Sequence, residues 1–186
     1  MARKRRRVDV SLGGGGGTMK IEGRAWKLGD HVDTDLIIPA RFLNISDMKE
    51  VSKYCFADLW ADFSQRVRPG DMVIAGDNFG CGSSREQAPW ALKLAGVGAI
   101  VAKSFARIFY RNAFNIGLPI LESPTAPEGI EADQIVSVDF STGEIMNRSK
   151  ETRFQAKPVP PFMRSIIDAG GLIAWVKKTS PQRQRA

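Results

Sequence analysis

One histidine, His31, and two cysteines, Cys55 and Cys81, are all that 186 residues offer of the softer metal ligands. Structural zinc usually takes four protein ligands, and iron–sulfur clusters take three or four cysteines. The chain therefore assembles neither from its own His and Cys, and any metal it works with must come largely from elsewhere. Two cysteines without a secretory leader read as free thiols in a reducing compartment. No apolar run approaches the roughly 18 residues that span a bilayer. The basic N-terminus is followed by glycines, not by the apolar stretch of a secretory signal. A cytoplasmic setting without a membrane partner is expected.

A basic surface is also missing from the body of the chain, although the net charge is +7. Residues 1–18 carry five basic residues against Asp9, and residues 177–186 carry Lys177, Lys178, Arg183 and Arg185, so each end contributes +4. The remaining 18 basic and 19 acidic residues leave the body at −1. This distribution does not support a nucleic-acid groove on the fold.

The opening "MARKRRRVDVSLGGGGGT" has no periodicity and nothing to bury, and reads as a disordered basic, glycine-rich extension over 1–18. A localisation or nucleic-acid arm and a linker remnant are two readings of it. The favoured reading is that translation starts at Met19. Glycine codons all begin GG, so five glycines before a methionine fit a purine-rich ribosome-binding site read in frame. The folded domain is expected over 19–178, with a flexible basic tail over 179–186.

From Met19 the pattern is coherent. Lys20 to Trp26 reads as a strand. "GDHVDTDLIIP" is a turn-rich loop leading to a short apolar segment, Leu36 to Ile38, with Pro39 against a continuing strand. Asp47 to Phe56 has helical spacing, with Ser46 or Asp47 as N-cap. "RPGD" turns into a strand over Met72 to Ala75. Helices near Glu86 to Ala95 and Phe105 to Phe114 alternate with strands over Ala99 to Ala102 and Leu118 to Leu121. Gly96 and Gly117 end the two helices. Strand–helix–strand–helix–strand over 72–121 predicts a parallel βαβαβ core in an α/β fold. A hairpin-like region (Ile135 to Asp139, "STGE", Ile145 to Met146) follows. A last helix starts at Pro161 with Phe162, Ile166 and Ile167 on one face, and "AGG" stops it.

The loop "GDNFGCGSSREQAP", residues 76–89, joins the strand at 72–75 to the helix near 86–95. A glycine-rich strand-to-helix junction presents backbone N–H groups and the positive end of a helix dipole, which suits an anion. Arg85 adds a planar fork for a carboxylate or phosphate, and Ser83 and Ser84 add hydroxyls. The spacing is neither a Walker loop nor a dinucleotide fingerprint. A simpler reading is a capping box, Ser83 with Glu86 three residues on. The doublet leaves room for both: one hydroxyl caps and the other faces a ligand. A serine alkoxide needs N–H donors, a dipole and a nearby cation, and this loop supplies them.

"GDNFGCGSSREQAPWALKLAGVGAIVAKSFARIFYRNAFNIGLPIL" resembles the signature of the aconitase superfamily's swivelling domain. The wider stretch from "KIEGRAWKLGDHVDTDLIIPARFLN" to "IIDAGGLIAWVKK" resembles the small subunits of 3-isopropylmalate dehydratases. The resemblance implies a three-layer β/β/α swivelling domain. It also implies a hydro-lyase that removes water from a hydroxy acid to give an alkene and returns it with the hydroxyl shifted, a step of leucine biosynthesis. The four-iron, four-sulfur cluster of that chemistry is implied on a separate large subunit, the expected partner, and not on this chain. By the same resemblance Ser83 is the base that takes the proton α to a carboxylate. Arg85 binds a substrate carboxylate, Ser84 helps position substrate or loop, and the backbone at Gly82 and Ser83 steadies the alkoxide. Arg107, Asn112 and Asn115 lie in matching positions and are expected to brace the loop.

Several residues have plainer readings. "SFARIFYRN" is expected to pack Phe105, Ile108 and Phe109 into the core. Cys81 reads as a small residue filling a tight loop. His31 reads as a solvated or structural side chain. Asp33 and Asp35 are more simply turn-forming residues than metal ligands. Phe42, Leu43, Asn44 and Ile45, after "IPAR", match the segment thought to read the variable group of the substrate. A second carboxylate there would want a basic residue. Neutral Asn44 among apolar neighbours favours an isopropyl or methyl group, although Arg41 stands just before them. 3-Isopropylmalate is the favoured substrate, with 2,3-dimethylmalate and the homoaconitate or citrate type as alternatives. An alternative of another class is a non-catalytic carboxylate- or RNA-binding module.

Overall fold

The structure, a computed structural model, describes residues 19–180. The expectations for 1–18 and for 181–186 lie outside the described residues. The first strand, β1 (Lys20–Lys27), alternates exposed and buried side chains, as a half-covered strand must. It is followed by α1 (Thr34–Ile37), a 3-10 turn (Ala40–Phe42), α2 (Met48–Ser52) and α3 (Phe63–Arg66). Next come β2 (Met72–Ala75), α4 (Gln87–Ala95), β3 (Ala99–Ala102), α5 (Arg107–Asn115), β4 (Ile120–Glu122) and α6 (Ala126–Gly129). The chain closes with β5 (Ile135–Asp139), β6 (Glu144–Asn147), β7 (Thr152–Gln155), α7 (Pro161–Asp168) and α8 (Leu172–Thr179).

The seven strands form one mixed sheet in the order β4-β3-β2-β1-β5-β6-β7. β1 joins its halves. Ala25 to Lys27 run parallel to β2, whereas Lys20 to Arg24 run antiparallel to β5. The expected α/β class and the parallel βαβαβ unit are present, as β2–α4–β3–α5–β4. The β5–β6 hairpin extends to β7 on the far edge. β2 and β3 are buried at every residue, the signature of central parallel strands covered on both faces.

The two helices of the parallel unit bury one stripe each. α4 contributes Ala88, Pro89, Ala91 and Leu92, and α5 contributes Phe109, Ala113 and Phe114. α4 ends where Gly96 takes φ 111°, with its N–H on the Leu92 and Lys93 carbonyls. Asp47 caps α2 through a side-chain bond from the Lys49 N–H. Trp26 lies edge-on to Phe63, and Phe63 edge-on to Phe56, with centroids 4.6 and 5.1 Å apart. Asp71, at the entry to β2, is buried yet fully employed. It accepts from the Trp26 indole N–H (3.0 Å), the Arg24 N–H (3.1 Å) and the Arg68 N–H (3.0 Å).

At the short apolar segment Leu36 to Ile38 the chain is helical: Thr34–Ile37 forms a helical turn because the Asp33 carboxylate caps the Leu36 N–H at 2.7 Å. Three expectations need correction. Ser83 does not cap α4, whose N-cap position is Glu86 with no side-chain cap bond. Ile108 is 52% exposed, although Phe105 and Phe109 are buried as expected. Phe162 is 58% exposed and lies edge-on to Trp175 of α8, whereas Ile166 and Ile167 are buried. Among the described residues no helix is long and apolar enough to cross a membrane.

Candidate active site

Three neighbouring parallel strands, β1, β2 and β3, each release a loop at their C-terminal ends, where open α/β sheets place ligands. The loops are stitched together by backbone bonds. The Gly76 N–H reaches the Gly29 carbonyl (3.0 Å), and the His31 N–H the Asp77 carbonyl (2.7 Å). The Gly80 N–H donates to the Val32 carbonyl (2.7 Å), and the Thr34 N–H to the Cys81 carbonyl (2.9 Å). On the other side Phe79 bridges to the third loop, its N–H on the Ser104 carbonyl and its carbonyl under the Ala106 N–H. The serine loop is thus held between two others, although it is rich in glycine.

The glycines are needed for shape. Gly80 and Gly82 adopt φ of 78° and 86°, in the left-handed region. A Cβ on Gly80 would lie 2.2 Å from the ring of Phe109, so the loop lies directly against α5.

A cavity of about 560 Å³ opens above this junction. One wall is Gly80 to Arg85 and the other is the first turns of α5, including Arg107, Ile108, Arg111 and Asn112. Neither the Ser83 nor the Ser84 hydroxyl makes a hydrogen bond among the described residues, and both serines are exposed. Ser83 is held by its backbone instead, the Thr34 hydroxyl donating to its carbonyl oxygen at 3.0 Å. Arg107 and Arg111 stand one helical turn apart, and neither forms an ion pair among the described residues. The lining contains no Asp, Glu or His among the described residues. It is a cationic pocket with two free hydroxyls at the start of a nine-residue helix.

Arg85 is the surprise of the site. Its side chain is only 12% exposed, and it forks onto Asp35 at 2.6 and 2.8 Å while also donating to the Ile38 carbonyl at 3.1 Å. The Arg85 hydrogen bonds hold the Asp35 carboxyl below the usual carboxylate range, against a smaller opposing push from desolvation. Asp35 is therefore an ion-pair partner rather than a turn former; Asp33 is the turn former.

The other sequence-predicted residues are more scattered. Cys81 and Gly82 line the cavity with the serines. Asn115 lies outside it. His31 is exposed, its Nδ1 3.4 Å from the Asn78 amide. Phe42, Leu43 and Ile45 are half-buried against the core, Phe42 stacked on Tyr54 at 4.0 Å, and Asn44 is exposed. None of these four lines the serine cavity of this chain. Arg41 is engaged by Asp58. The residues missed by sequence reading are Thr34 and Arg111. Thr34 is hidden by its distance in sequence, 49 residues from Ser83 with three short helices and β2 between them. For Arg111 the available signal was its i+4 spacing from Arg107.

The cysteines do not converge. Cys55 is buried in the core, where desolvation pushes its thiol far up, and Cys81 is on the cavity wall. Among the described residues no group of three or more His, Cys, Asp or Glu is placed to hold a metal ion. These residues do not fit an iron–sulfur cluster.

The family described as Aconitase C-terminal domain matches residues 60–125. The 3-isopropylmalate dehydratase small subunit of Thermodesulfovibrio yellowstonii is 54% identical over 160 residues, covering 86% of this chain and 95% of that protein. The 2,3-dimethylmalate dehydratase small subunit of Eubacterium barkeri is also 54% identical, over 161 residues, covering 87% and 99%. The crystal structure of 3-isopropylmalate dehydratase from Methanocaldococcus jannaschii superposes with a TM-score of 0.80 at 45% identity, over 86% of this chain and 95% of that one. With near-complete coverage at this identity, and with the glycine loop, paired serines and arginine brought together at the strand ends, the chain belongs to the 3-isopropylmalate dehydratase small-subunit family of the aconitase superfamily.

Proposed function

We propose that this chain is the small subunit of a hydro-lyase that interconverts 2- and 3-isopropylmalate by loss and return of water, in leucine biosynthesis. It works with a large subunit that carries a four-iron, four-sulfur cluster. The observation that carries the reading is the cavity itself: two serine hydroxyls without a partner among the described residues, facing Arg107 and Arg111. Ser83 is the base. It removes the proton α to a carboxylate, and the electron pair left on carbon forms the alkene as the neighbouring hydroxyl departs. The alkoxide that Ser83 needs is favoured by the nearby guanidinium groups and the N-terminus of α5, in a pocket without lining carboxylates. Ser84 and the Gly82 backbone position substrate. Arg85, Arg107 and Arg111 are the cations available for its two carboxylates.

The departing hydroxyl must take up a proton to leave as water. No lining residue among those described is an ordinary acid at neutral pH. That half of the chemistry is assigned to the large subunit.

A second reading, 2,3-dimethylmalate, is favoured by the Eubacterium barkeri relative, which matches as closely as the Thermodesulfovibrio protein. Both substrates share the malate core and differ in apolar bulk, so Phe42, Leu43, Asn44 and Ile45 are the residues proposed to choose between them. The test is reconstitution with candidate large subunits without oxygen, following alkene absorbance with each substrate. Turnover of isopropylmalate that disappears in Ser83→Ala is expected. A stable, cluster-loaded complex that turns over none of the substrates would leave a non-catalytic module.

A further inference from the structure

We propose that Asp35 is a positioning residue: it aims Arg85 at the substrate and ties the serine loop to the segment that selects the substrate. The proposal rests on the reading of Ser83 to Arg85 as the substrate-facing loop. Arg85 spends both N–H groups of Nη1 and one of Nη2 on Asp35 and the Ile38 carbonyl, at 2.6 to 3.1 Å. Nε and the second N–H of Nη2 make no bond among the described residues and remain for a carboxylate. An arginine so held has lost most of its rotamer freedom before a ligand arrives, which lowers the cost of binding.

The same two side chains grip the backbone that leads into residues 42–45. Arg85 holds the Ile38 carbonyl, and the Asp35 carboxylate accepts the Ala40 N–H at 3.3 Å. Two residues on, Phe42 is fixed on its other side by the Tyr54 ring. A shift of Arg85 therefore moves the entry to the Phe42–Ile45 segment, and a shift of that segment moves Arg85. The burial asymmetry fits this role. Arg85 is 12% exposed and Asp35 56% exposed, so the carboxylate pins a nearly enclosed cation from its solvent side.

The test uses Asp35→Ala and Asp35→Glu in the reconstituted complex. Asp35→Ala is expected to raise KM by about tenfold or more, the size of a lost charged hydrogen bond, with a smaller change in kcat. The preference between isopropylmalate and dimethylmalate is expected to shrink toward unity, and Asp35→Glu to restore part of both. A merely structural ion pair would lower stability and leave the preference alone. Unchanged KM and preference in folded Asp35→Ala overturn the proposal. So does a lower KM, which would make Asp35 a competitor of substrate.

Should the wild-type complex turn over no substrate, the proposed function fails and a second readout decides the inference. The full chain, with 15N-labelled arginine, is titrated with malate while the Arg85 Nε–H resonance is followed. A shift in wild type that is lost in Asp35→Ala supports the positioning role. Equal shifts in both, or none in either, overturn it.

Discussion

The hydroxyl of Thr34 donates to the carbonyl oxygen of Ser83 across 3.0 Å, joining residues 49 apart in sequence. With the Thr34 N–H on the Cys81 carbonyl, this buried threonine holds the serine loop at two points. Thr34→Val keeps the shape and removes the donor. It should cost about 1 kcal/mol of stability and lower kcat/KM by about tenfold or more, because Ser83 loses its fixed position. Thermal unfolding and steady-state kinetics on one preparation check this. Unchanged kcat/KM would mean that the backbone stitches alone fix the loop.

The cations of α5 should act through binding. Arg107 and Arg111 are exposed and free of ion pairs among the described residues. Arg111→Gln should raise KM about three- to tenfold with little effect on kcat, and the difference should shrink with added salt. If Arg111→Gln weakens association of the two subunits and leaves KM alone, the residue serves the interface instead.

How much of this was legible depended on how local the cause was. β2, β3 and β5 are short apolar runs between glycines, prolines and polar turns, and their limits were readable to the residue. β7 was missed because "TRFQ" has no buried alternation; pairing with β6 makes it a strand. α8 was missed because Leu172 to Thr179 follows two glycines and buries no residue fully. The capping box was a sound local reading that lost to tertiary bonds. Thr34 holds the carbonyls of Cys81 and Ser83, and α4 begins only at Gln87. Ser83, Ser84 and Arg85 are adjacent and could be read together. The Arg85–Asp35 pair spans 50 residues and emerges only from the fold.

The Arg85–Asp35 pair also sets a pH expectation. The folded Asp35 carboxyl lies below its ordinary value, chiefly through its hydrogen bonds from Arg85. Its contribution is therefore fully present above the ordinary carboxylate range, and it is lost as pH falls through the lowered folded value. Any pH profile of KM should be flat with respect to this pair above about pH 5. A loss of binding confined to more acidic solution should be absent in Asp35→Ala. A wild-type KM that titrates between pH 6 and 8, roughly the range of histidine, would point to another group.

Asp71 separates stability from activity. It stands at the N-terminal end of β2, opposite the serine loop, and its buried carboxylate serves Trp26, Arg24 and Arg68 together. Asp71→Ala strands the Trp26 indole N–H and two backbone N–H groups and leaves Arg24 with Asp133 as its ion-pair partner among the described residues. The loss should be about 3 kcal/mol, or about 6–12 °C in Tm for a domain of this size. Asp71→Asn keeps one acceptor oxygen but turns an amide toward donors, so it should fall between wild type and Asp71→Ala. Well below the transition kcat and KM should stay near wild type, since no catalytic group is touched. A large drop in kcat at low temperature, with an unchanged urea midpoint, would show that β2 transmits strain from this anchor to Ser83.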